Sequence, residues 1–99
     1  MKQKIFNFYL TKILEAFSTT KEELFSNSRR SDLIDARHLL FYLCFNRPMR
    51  IIDINKILKS EGFDINHSVI IYGASAGKEK ARTNRDYKRL VLECEETKI

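Results

Sequence analysis

Ninety-nine residues with 43% hydrophobic content can bury one modest core and leave no room for a second domain. Tryptophan is absent, only three glycines and one proline punctuate the chain, and alternating β-branched runs are scarce, so an all-α, single-domain helical bundle of about six helices is expected over residues 1–99. The formal charge of +5 favours an acidic partner such as nucleic acid, although a solvated basic surface gives the same number.

Taken in chain order, Ile5, Phe6, Tyr9, Leu10, Ile13, Leu14 and Phe17 recur at three- and four-residue steps and predict a first amphipathic helix. Thr19 with Glu22, or Thr20 with Glu23, has capping-box spacing for a short second helix ending near Phe25. The polar run Ser26-Asn27-Ser28-Arg29-Arg30 reads as a loop. From Ser31, the residues Leu33, Ile34, Arg37, Leu40, Phe41 and Cys44 keep helical spacing, and Leu39 and Leu43 widen the stripe, which predicts a largely buried central helix. Arg47-Pro48 ends it, because proline disfavours helical geometry in the residue before it.

Ile51, Ile54, Ile57 and Leu58 predict a compact fourth helix, closed by Gly62 in a left-handed cap. Asp64 or Asn66 can cap a fifth, with Val69, Ile70 and Tyr72 on it; the stretch Gly73-Ala74-Ser75-Ala76-Gly77 is expected to weaken its C-terminal half. Tyr87, Leu90, Val91 and Cys94 predict a last helix after Asn84.

The N-terminal segment is basic, but Asn7, Thr11, Lys12 and Glu15 interrupt any apolar signal core, and no apolar run approaches the ~20 residues that span a bilayer. A cytoplasmic chain with no membrane partner is the expectation. Cys44 and Cys94 lack framework spacing and read as reduced packing residues. The run Gly73 to Glu79 is one residue short of a phosphate-binding loop, and Glu79 stands where a magnesium-ligating hydroxyl belongs, so no nucleotide is expected. His38 and His67 belong to no paired ligand motif, so no metal and no cofactor are expected. Asp32 and Asp35 suit the positive end of the central helix, and with no nucleophile, base and charge stabiliser together an enzyme is not expected.

The order of motifs is similar to the C-terminal DNA-binding domain, domain IV, of the bacterial replication initiator DnaA, a relative of the Trp-repressor helix-turn-helix. The resemblance covers nearly the whole chain. It rests on Glu22-Glu23-Leu24-Phe25-Ser26, on Arg29-Arg30, and on Ala36-Arg37-His38-Leu39-Leu40-Phe41-Tyr42-Leu43, which resembles the family's Ala-Arg-Gln-x-Ala-Met-Tyr-Leu. The family signature Gly-Arg-Asp-His-Ser-Thr-Val is partly kept as Ile65-Asn66-His67-Ser68-Val69, with the histidine and hydroxyl retained and the glycine, arginine and aspartate lost.

The resemblance implies binding of double-stranded DNA in replication control, such as origin binding, or in transcriptional regulation. Asn66, His67, Ser68 and Val69 would then read the major groove, with the Asn66 amide able to make a bidentate contact to adenine and Val69 to touch a thymine methyl. Arg29 would enter an AT-rich minor groove. Arg37, His38 and Arg30 would hold phosphates, although Arg37 has a second reading in which its stem lies across the core with its head in water. The competing function is a protein-interaction adaptor or inhibitor, with replication proteins as partners, that keeps the fold without specific DNA reading.

Overall fold

The computed structural model describes residues 2–26, 28–47 and 49–96. Six helices follow one another: α1 (Lys2–Ala16), α2 (Lys21–Leu24), α3 (Ser31–Asn46), α4 (Ile51–Ser60), α5 (His67–Thr83) and α6 (Arg85–Glu96). Among the described residues there is no strand. All six helices contribute buried side chains to a single apolar core.

The three- and four-residue periodicity of α1 buries Ile5, Phe6, Tyr9, Leu10 and Ile13. The helix stops at Ser18, which takes φ +49° while Thr19 N–H donates to the Leu14 carbonyl at 3.1 Å. This is the left-handed termination that usually falls to glycine. Of the two candidate caps for α2, Thr20 is the one used: its hydroxyl accepts from Glu23 N–H at 3.2 Å.

Helix α3 is the axle of the fold and packs against all five others. It can do so because Leu33, Ala36, Leu39, Leu40, Phe41, Leu43 and Cys44 are buried on more than one of its sides. Arg47 ends it with an extended backbone, φ −86° and ψ 156°, which is the conformation a following proline imposes. Pro48 itself lies outside the described residues, as does Asn27 of the loop before α3.

The most intimate packing is that of α3 on α5. A Cβ at Gly77 would lie 2.2 Å from the His38 carbonyl oxygen, and one at Gly73 would lie 2.6 Å from Cδ2 of Phe41. Gly77 therefore lets two backbones approach and Gly73 makes room for the Phe41 ring, and the expected weakening of α5 does not occur: the helix runs without interruption for 17 residues. Helix propensity disfavours each glycine by about 1 kcal/mol, and close packing along the longest helix outweighs it. Upstream, α4 buries Ile54, Ile57 and Leu58 and ends at Gly62, whose φ of +81° makes the left-handed turn toward α5.

Candidate nucleic-acid interface

The first turn of α5 is held at both of its approaches. Asn55, the only polar residue buried among those described, donates from Nδ2 to the Ile65 carbonyl at 2.8 Å and so ties the connecting turn to α4. Asn66 then caps the helix: its Oδ1 accepts the Ser68 N–H at 2.8 Å and the Ser68 hydroxyl at 2.5 Å. Beyond this anchored start, His67, Ser68 and Val69 are exposed, and the outward face continues through Ile71 (55% exposed) and Tyr72 (68%) to Ser75.

The cap changes what Asn66 can do. With both lone pairs of Oδ1 engaged by Ser68, the bidentate adenine contact expected from sequence is not open while the helix start is intact, because that contact needs the oxygen as an acceptor. The two N–H bonds of Nδ2 remain, and they suit a single acceptor such as a purine N7 or a phosphate oxygen.

Arg37 corrects a second expectation. Its guanidinium does not face outward to hold phosphate: Nε donates to the Leu24 carbonyl at 2.5 Å, and Nη2 donates to the carbonyls of Ser26 (2.9 Å) and Ser28 (3.1 Å). Its plane also lies against Phe63, 5.7 Å from the ring centroid, and Phe63 packs on Phe25 at 5.3 Å. Burial lowers the Arg37 pKa, yet a guanidinium starts so high that it keeps its charge at neutral pH. One side chain thus pins the loop that carries Arg29, through Ser28, to the turn that leads into Asn66, through Phe63. Arg29 is exposed and Asn66 is exposed, and they belong to two loops that meet on Arg37.

Arg30 is exposed but its charge is shared. Its Nε and Nη2 donate to the two carboxylate oxygens of Asp32 at 3.1 Å each, and Glu23 lies 3.6 Å from Nη1. A phosphate approaching Arg30 meets two carboxylates as well, so its grip is weaker than expected.

His38 is the third correction, since it sits half-buried in the α3–α5 seam. Its Nδ1 lies 2.8 Å from Nζ of Lys80, which also pairs with Asp35 at 2.6 Å, while the Tyr87 hydroxyl donates to the other Asp35 oxygen at 2.8 Å. Tyr72 stands edge-on to the imidazole at 5.8 Å. Asp35 is therefore a structural acceptor joining three helices, and not merely a dipole-compensating charge. Burial and the Asp35 hydrogen bond push the Tyr87 phenol up to about 12.

Burial, and after it the Lys80 ammonium, holds the His38 imidazole below its ordinary pKa, so the ring is neutral where a phosphate grip would need a cation. In the unfolded chain the ring takes up a proton near pH 6.5, whereas the folded domain resists it. Stability from this source is thus complete above about pH 7 and falls as pH drops through about 6.5 toward the lower folded value. The His38→Gln domain, whose amide oxygen can still accept from Lys80, should lose less stability between pH 7.5 and 5.5 than the parent in urea unfolding. Equal losses in the two proteins would remove His38 from this role.

Both cysteines are buried and free, and burial pushes Cys44 up to about 12 and Cys94 up to about 11, so both thiols stay protonated at neutral pH. The glycine-rich run lies in mid-helix, with its glycines against α3, and forms no phosphate-cradling loop. Among the described residues no cluster of three or more His, Cys, Asp or Glu side chains could hold a metal, and no helix is long and apolar enough to cross a membrane.

Sequence reasoning missed Asn55 and Lys80. Asn55 carries a signal in hindsight, for it occupies a core register between Ile51 and Leu58, where a polar residue needs a buried partner. No protein-family model matches this chain, and no solved structure matches it.

Proposed function

We propose that the chain is a DnaA domain IV-like helix-turn-helix module that binds double-stranded DNA in replication control or transcriptional regulation. The observation that carries this reading is the anchored, exposed N-terminal turn of α5, with Asn55 and Asn66 fixing its backbone and His67, Ser68 and Val69 turned to solvent. A helix presented in this way can enter a major groove with its first turn leading. In this reading His67 and the Ser68 oxygen face base edges, Val69 and Ile71 offer methyl contacts, the Asn66 Nδ2 donates to one acceptor, and Arg29 reaches the neighbouring minor groove. Arg37 positions the two reading loops instead of touching DNA.

Duplex affinity should fall log-linearly with added salt, since each phosphate neutralised by a cation releases condensed counterions. The Asn66→Asp domain keeps an acceptor for the Ser68 N–H and so keeps the helix start, but it loses the amide donors and adds a negative charge. Because the family signature carries an aspartate at this place, the effect belongs to site choice: fluorescence anisotropy should show the preference for the parent's selected duplex over a scrambled one changed at least about tenfold, in line with the ~1–3 kcal/mol of a good base contact. An unchanged preference would mean that this turn does not read the duplex.

The protein-docking alternative is favoured by one feature, the apolar surface of Val69, Ile71 and Tyr72, each at least half exposed. A duplex affinity indifferent to salt, in a domain that stays folded, would move the assignment to that reading.

A further inference from the structure

Helix α6 carries its charges in an order that its own backbone opposes. Arg85, Lys88 and Arg89 lie toward its N-terminal end, with Asp86 the lone acid there, and Glu93, Glu95 and Glu96 lie toward its C-terminal end. The helix macrodipole favours the reverse arrangement. Among the described residues, Arg85, Arg89 and Glu96 are exposed and make no ion pair or side-chain hydrogen bond that offsets this. At helical spacing these three share the outward stripe with Leu92, which is 46% exposed, on the side opposite the buried Val91 and Cys94.

A stripe that runs from positive through apolar to negative is complementary to itself when reversed. We infer that α6 pairs antiparallel with α6 of a second copy of this chain about a twofold axis, Arg85 of each copy opposite Glu96 of the other and the two Leu92 side chains near the axis. Such an isologous contact uses each charge pair twice. A helix of 12 residues is about 18 Å long, and one such pair falls short of the ~1,200 Å² typical of a stable interface, so the dimer is weak and salt-sensitive.

Sedimentation equilibrium on the chain alone, without DNA, from about 10 μM to about 1 mM at low and high salt tests this independently of the DNA-binding reading. The parent should associate to a dimer at low salt and dissociate as salt is added. Arg85→Glu and Glu96→Arg should each weaken the dimer about tenfold by turning two attractions into two repulsions. Both changes suit the helix dipole, so neither endangers the fold. The double variant Arg85→Glu/Glu96→Arg restores opposite charges across the axis and should regain the parent's association. A monomer at every concentration would leave this face to another partner and overturn the proposal. So would a dimer indifferent to the single charge reversals, or a double variant no tighter than the singles.

Discussion

Replacing Arg37 by methionine, which keeps the apolar stem and removes the guanidinium, should cost the domain roughly 3–5 kcal/mol of stability. Three backbone carbonyls, those of Leu24, Ser26 and Ser28, would lose their donor together. Hydrogen bonds from a charged donor contribute about 1.5–3 kcal/mol each, and water can re-enter a half-buried site, so the total falls below the simple sum. The contact with Phe63 goes as well, and with it the link between the Arg29 loop and the turn before α5. Urea unfolding measures the loss. A second readout separates pinning from phosphate grip: at a temperature where the variant is folded, its duplex affinity should show the same salt slope as the parent, because no phosphate contact has been removed. A slope reduced by about one would return Arg37 to the phosphate.

The second large effect is expected at Gly77. Alanine there gains about 1 kcal/mol of helix propensity, and on that ground alone Gly77→Ala would stabilise the domain. The new Cβ, however, would stand 2.2 Å from the oxygen and 2.7 Å from the carbon of the His38 carbonyl, and 3.0 Å from Cβ of Tyr42. Two of those atoms are helix backbone and cannot rotate away, so α3 and α5 must separate along the most intimate contact in the fold. Overpacking of this kind costs about 1–3 kcal/mol and more where backbone must move, so a net loss of about 2 kcal/mol or more is expected. Ser75→Ala on the exposed side of the same helix should change stability by no more than about 0.5 kcal/mol. Thermal unfolding of the two variants checks both numbers, and a Gly77→Ala domain more stable than the parent would contradict the packing described for α5.

The helices themselves were legible because their signals are local. Three- and four-residue spacing of apolar residues marked α1, α3, α4 and α6, and the extended Arg47 and left-handed Gly62 mark the helix ends that proline and glycine chemistry foretells. The same holds for the start of α5, where Asn66 was one of two candidate caps and proves to be the one in use.

What was not legible depends on residues far apart in the chain. Arg37 reaches carbonyls 9 to 13 positions away, and Lys80 meets His38 across 42, so no window of sequence shows that these polar groups face one another. Spacing places Arg37 and His38 on a helix but says nothing of which neighbour closes over them. The glycines of α5 read locally as helix-weakening, and only the position of α3 shows that they make a close contact instead.

The central claim, that the anchored first turn of α5 reads DNA sequence, is tested most directly by selecting bound duplexes from a random pool at fixed, near-physiological salt, with the parent and the His67→Ala domain side by side. The parent should enrich one motif with an AT-rich flank, and His67→Ala, verified as folded, should prefer that motif over a scrambled duplex by about 1–3 kcal/mol less than the parent does. A parent that enriches nothing, or a His67→Ala domain with undiminished discrimination, would contradict the claim.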